Sequence, residues 1–189
     1  MRRAGRRGRG WHSFDLGTWH VVVLNSQCFG SSKPTIMQPK VGCGNGSRQV
    51  KWLRRDLAAN QDKSCTLAAW HHPRFSSKGG WREVAPFWRT LQEAGADVVL
   101  SGHNHVYERF APQRANGTAS PRGIRQFIVG TGGKNLADPF RRVSPNSEKR
   151  LRRLGVLKLS LRGNSYGWKF ARTGGRVLDR GLTACGGST

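Results

Sequence analysis

Ala96-Asp97-Val98-Val99-Leu100-Ser101-Gly102-His103-Asn104-His105 is the stretch on which the reading of this chain turns. Val98-Val99-Leu100 is a short apolar, β-prone run, the composition of a buried strand. Gly102 lets the backbone turn sharply where the run ends. Two histidines, two positions apart, leave that end, and in an extended segment such residues point to the same side. A second run, Cys65 to Trp70, ends the same way, in His71-His72-Pro73. In α/β folds, functional groups collect at the carboxyl ends of strands. Neutral imidazole is a ligand for zinc, iron and manganese-type ions. His71, His103 and His105 are therefore the candidate metal ligands, expected to meet at one cluster from two adjacent strand ends.

The segments on either side fit an α/β layered domain with a mixed sheet. Ser13 to Ser26 reads as a hairpin: Phe14 and Leu16 alternate with polar residues, Gly17-Thr18 makes the turn, and Trp19 to Leu24 is β-prone. Ser47 is placed to cap a helix from about Arg48 to Ala59, with Val50, Leu53 and Leu57 at helical spacing. A second helix runs from about Trp81 to Ala94, carries Val84, Phe87, Trp88 and Leu91 on one face, and stops at Gly95. After the histidines come a Pro/Gly-rich loop at 112–123, a strand at Ile124–Val129 and a glycine turn at Gly130–Gly133. A basic stretch at 137–153 reads as mobile. A hairpin around Gly163-Asn164, from Val156–Leu161 and Tyr166–Arg172, closes the chain.

The chain has 189 residues, the size of one domain, and 36% of them are hydrophobic, which argues against wholesale disorder. No apolar run approaches the length of a membrane span. The formal net charge is +23, from 33 Lys+Arg against 10 Asp+Glu. No zinc-finger, basic-zipper or aromatic RNA-binding pattern accompanies that charge, so salt-sensitive, non-specific binding of polyanions is expected rather than sequence recognition. Residues 1–10 read as a disordered basic tail. They have the charge of a signal peptide's first region, but no apolar segment follows, so the start is not a working secretory signal as written. Cys28, Cys43, Cys65 and Cys185 form no C-x-x-C pair, which weighs against a structural zinc site of usual spacing. Four cysteines allow three pairings. Loop geometry favours Cys28–Cys43, and elimination then gives Cys65–Cys185. Oxidised cysteines place a chain outside the cytoplasm.

Five separated segments bear a resemblance to a known family, in that family's order. Val99-Leu100-Ser101-Gly102-His103-Asn104-His105-Val106-Tyr107-Glu108-Arg109 resembles the last motif of calcineurin-like metallophosphoesterases, above all their purple-acid-phosphatase-like branch. Ala69-Trp70-His71-His72-Pro73 resembles the motif before it, whose first histidine binds metal. Ser13-Phe14-Asp15-Leu16-Gly17-Thr18-Trp19-His20 and Gln49-Val50-Lys51-Trp52-Leu53 are similar to stretches upstream, and Gly123 to Gly133 to one downstream. The resemblance runs from about residue 11 to the C-terminus. It implies the C-terminal part of a four-layer α/β/β/α sandwich over residues 11–189. It also implies a phosphate-ester substrate, an extracellular or periplasmic location, and a site where two metal ions (Zn, Fe or Mn) clamp the phosphate and activate water.

Against that pattern, no Asp-x-His, Gly-Asp or Gly-Asn-His motif precedes residue 71. Gly44-Asn45-Gly46 lacks the histidine, and Asp15 is not followed by x-His, so neither is assigned as a ligand. Glu108 is read as a structural ion-pair partner, Asp97 as a strand-start residue and Lys78 as a solvated side chain. Two divalent ions need carboxylates to bridge them and offset their charge. Three imidazoles alone hold one borderline ion such as zinc, and hold it weakly. The expectation is therefore a truncated, inactive fragment of a hydrolase with an incomplete sandwich, an uncovered sheet edge and an exposed apolar face. The alternatives are a non-catalytic basic module for phosphate-rich ligands or polyanions, and a single-zinc or split enzyme completed by another chain.

Overall fold

The computed structural model describes residues 10–28 and 42–186. The basic tail at 1–9 and the centre of the cysteine loop, 29–41, lie outside the described residues. The hairpin expected near the start is present as β1 (His12–Leu16) and β2 (Trp19–Val23), antiparallel, with Leu16 opposite Trp19 across Gly17-Thr18. Helix α1 (Arg48–Ala58) starts at Ser47, whose hydroxyl accepts from the Val50 N–H. This satisfies one of the donors that a helix start leaves open.

Strand β3 (Cys65–Ala69) lies parallel to β2. A single 3-10 turn (Arg82–Val84) leads into α2 (Ala85–Glu93), which has Pro86 in its first turn. Strand β4 (Val98–Ser101) lies parallel to β3, with Ala69 opposite Leu100. Then follow β5 (Tyr107–Phe110), β6 (Arg125–Val129) and β7 (Ser147–Leu151). The seven strands make one mixed sheet in the order β1-β2-β3-β4-β6-β5-β7. A second, three-stranded antiparallel sheet comprises β8 (Gly155–Leu161), β9 (Ser165–Arg172) and β10 (Val177–Ala184).

Period-two alternation splits the central strands between two cores. On one face, Val22, Ala68, Trp70 and Val99 pack against Val50, Leu53 and Leu57 of α1 and Phe87, Trp88 and Leu91 of α2. On the other, Trp19, Val21, Leu67, Val98, Tyr107 and Phe127 pack against Tyr166, Trp168 and Phe170 of β9. The layers are therefore helices, large sheet, small sheet. Among the described residues no helix covers the outer face of the small sheet, where Val156 and Leu182 are more than half exposed. Both disulfides have the favoured pairing, Cys28–Cys43 and Cys65–Cys185. The second fastens the start of β3, in the large sheet, to the residue just beyond β10, in the small one.

Three expectations need correction. The basic stretch 137–153 is not wholly mobile, because Ser147–Leu151 forms β7, which pairs with β5 and makes the edge of the large sheet. The small sheet is three strands rather than a two-stranded hairpin. Glu108 has no ion-pair partner among the described residues. It is fully buried and accepts from the hydroxyls of Ser76, Ser77 and Ser147 and from the Ser77 N–H.

Candidate metal centre

The parallel register of β3 and β4 brings their carboxyl ends side by side. The Trp70 N–H donates to the Leu100 carbonyl at 3.1 Å, and the Gly102 N–H donates to the His71 carbonyl at 3.0 Å. The two histidine-bearing ends are thus tied by the backbone itself. The His71 Nε2 and His103 Nδ1 atoms stand 3.1 Å apart. Beside them is the His72 ring, with its centroid 4.5 Å from that of His103 and 4.9 Å from that of His71. His71, His72 and His103 each offer a ring nitrogen, and the three lie within 4.8 Å of one another.

His105 does not belong to that group. The segment from Gly102 is a tight turn rather than extended backbone: His103 has φ +52°, the Asn104 N–H donates to the Gly102 carbonyl, and the Val106 N–H donates to the Asn104 carbonyl. The same-side rule for residues two apart does not apply to such a turn. His105 remains a neighbour, since a charge on it is felt at both His71 and His103. Asn104, between them, is buried and donates to the Ser76 hydroxyl at 2.7 Å and the Gly79 carbonyl at 3.1 Å. Glu108 grips the same loop from below through Ser76 and Ser77. Lys78, at its tip, is not simply solvated, because its ammonium donates to the Asp138 carbonyl at 3.2 Å.

His72 was not singled out from the sequence, although the His-His dipeptide before Pro73 marks it. Its backbone N–H donates to Ser26 Oγ at 3.0 Å, and its Nδ1 faces the same hydroxyl at 2.9 Å. Ser26 is held in turn by its neighbour Asn25, whose N–H donates to, and whose carbonyl accepts from, the buried Gln49 amide of α1. The Trp81 ring leans on His103 at 4.5 Å and on His72 at 5.2 Å and walls one side of the cluster.

All three imidazoles are pushed below the ordinary histidine value. Burial is the main cause for each. The remainder comes from neighbouring rings: His105 at His71, His103 and His71 at His72, His71 and His105 at His103. They are therefore neutral at neutral pH, the form that binds metal. Among the described residues no carboxylate joins the group. The other group of potential ligands, Cys65, Asp97 and Cys185, is spoken for. Its cysteines are disulfide-bonded, and Asp97 accepts the Thr66 and Gly186 N–H groups.

Sequence comparison gives the chain relatives. It is 30% identical over 131 residues to purple acid phosphatase 15 of Arabidopsis thaliana, covering 65% of this chain and 22% of that protein. It is 30% identical over 173 residues to purple acid phosphatase 22 of the same plant, covering 86% and 37%. A solved purple acid phosphatase from yellow lupin (Lupinus luteus) seeds superposes with a TM-score of 0.77 over 96% of this chain and 34% of that one, at 19% identity. The chain is similar to the C-terminal portion of purple acid phosphatases. Its fold is of the α/β metallophosphoesterase type. No family model matches it. The chain spans between about a fifth and two fifths of the length of these two purple acid phosphatase relatives. A donor set of imidazoles with no carboxylate fits one borderline ion and not the two of a purple acid phosphatase.

Proposed function

We propose that this chain is the histidine-bearing portion of a metal-dependent phosphoester hydrolase, whose site, once completed by the missing carboxylates, takes His71, His103 and His105 as metal ligands. By itself it does not hydrolyse phosphoesters. The hydrolase class comes from the similarity to purple acid phosphatases. The observation that carries the site is the meeting of His71 and His103 at 3.1 Å on adjacent strand ends. The incompleteness follows from chemistry. Clamping a phosphoryl group between two ions requires carboxylates to bridge and neutralise them, and the histidine group includes none. A location outside the cytoplasm suits the two disulfides.

A chimera tests this reading. Residues 11–189 replace the matching C-terminal portion of a purple acid phosphatase, and p-nitrophenyl phosphate hydrolysis is followed with added Zn, Fe or Mn. The chimera is expected to turn over and to lose activity on His71→Ala, while the isolated chain stays at background. A folded, metal-loaded chimera without activity would sink the proposal. Turnover by the isolated chain would remove its second clause. The net charge of +23 favours one further reading, a basic module that binds polyanions without catalysis.

A further inference from the structure

We infer that this chain on its own binds one zinc-type ion through His71, His72 and His103, with His72 rather than His105 as the third ligand and the fourth position open to solvent. The inference uses the same cluster as the proposed function but does not need hydrolysis to be true.

The geometry supplies the argument. Tetrahedral zinc with imidazole nitrogens at 2.0–2.1 Å sets those nitrogens about 3.3–3.4 Å apart. The His71 Nε2 to His103 Nδ1 separation of 3.1 Å is already close to that edge. A ring nitrogen of His72 lies within 4.8 Å of a ring nitrogen of each of the other two, so rotation of the rings can close the triangle. His72 also has what a ligating histidine usually has, an oxygen partner for its other ring nitrogen. With Nε2 given to the metal, Nδ1 carries the proton and donates to Ser26 Oγ, 2.9 Å away. That serine is fixed through Asn25 by the Gln49 amide, so the ring is oriented before any ion arrives. His71 is exposed, which leaves an entry path. With no fourth His, Cys, Asp or Glu in the group, water completes the shell. The left-handed turn at His103 takes His105 out of the group, which is why the third nitrogen comes from the neighbouring strand end.

Cobalt(II), used as a zinc probe, tests this by titration of the whole chain. Two signals are read: the visible absorption of four-coordinate cobalt and the quenching of Trp81, whose ring lies against two of the three ligands. One ion per chain is expected. His71→Ala, His103→Ala and His72→Gln should each cost more than about 100-fold in affinity, and Ser26→Ala about 10–100-fold as an outer partner. His105→Ala should cost less affinity than His72→Gln, because His105 stands outside the group of three nitrogens. Trp81→Phe should remove the metal-dependent quenching and keep the absorption. Circular dichroism confirms that each variant is folded. Wild-type affinity in folded His72→Gln, two ions per chain, or no saturable binding would each overturn the inference. Loss of affinity in His105→Ala but not in His72→Gln would overturn it while leaving the proposed function standing.

Discussion

At the residue scale, His20 shows how differently one side chain type is used within this chain. It is 2% exposed, and both ring nitrogens face carboxylates: Nδ1 meets Asp15 at 2.8 Å and Nε2 meets Asp56 at 2.9 Å. Burial opposes its charge, but the bonds to Asp56 and Asp15 outweigh burial and raise its pKa. Asp15 is lowered by His20, helped by Lys63. Ser13 donates to Asp56 on the same network. A raised histidine stabilises the fold fully below its unfolded value of about 6.5, and the contribution is lost as pH climbs through the folded value. The lowered Asp15 stabilises above its unfolded value and fails as pH falls through the folded one. Urea denaturation across pH should therefore show stability declining from near neutral upward. His20→Gln should flatten that limb, and an unchanged slope would refute the assignment. The clustered histidines His71, His72 and His103 are the reverse case, pushed down by burial. His71 and His103 were legible in the sequence because both follow apolar strands. The placement of His105 was not, because nothing in Gly-His-Asn-His announces a left-handed φ at His103.

At the element scale, the helices, the first hairpin and the parallel strands were legible from caps and periodicity. Three strands were not. Tyr107–Phe110 reads as a polar motif, and its strand character comes from pairing on both sides with β6 and β7. Ser147–Leu151 is charged along its length and is recruited by tertiary contacts: Glu148 pairs with Arg109 and with Arg125 at 2.7 Å. Val177–Ala184 is interrupted by Asp179 and Gly181, and each has a packing reason. Asp179 accepts from Tyr107, Arg109 and Trp168, and the Trp168 ring sits where a side chain on residue 181 would project. Removing the Asp179 carboxylate strands a largely buried Arg109 between the sheets. Asp179→Ala should cost about 3 kcal/mol, the lower end of the range for a broken buried pair because Glu148 remains, measured by denaturation. Gly130 has its own constraint, since a Cβ there would lie 2.1 Å from the Asn104 carbonyl oxygen. Gly130→Ala should cost about 1–3 kcal/mol by overpacking and weaken metal binding by moving the histidine turn. Unaltered cobalt affinity in that variant would separate the turn from the site.

At the scale of the whole molecule, the described residues form three layers, as expected of the incomplete four-layer sandwich that the resemblance implies. A cleft of ≈ 620 Å³, lined by Leu24, Leu100, Val129, Leu157 and Leu159, opens beside His71 between the two sheets. Strand β8 forms one edge of the small sheet, with Val156 facing outward. Heparin affinity should fall steeply with salt, as counterion release requires, and be indifferent to His71→Ala; salt-independent retention would contradict this. The layer arrangement was readable in the sequence because apolar alternation labels both faces of the central strands. The extent of the small sheet was not, because its outer face mixes Val156 and Leu182 with Lys158, Lys169 and Arg180. The claim on which the rest depends is that the ends of β3 and β4 hold a metal ion. X-ray absorption at the zinc edge of the zinc-loaded chain tests it most directly. A four-coordinate shell with three imidazole nitrogens at about 2.0–2.1 Å is expected, reduced to two in His71→Ala. A six-coordinate oxygen shell, unchanged by that substitution, would contradict it.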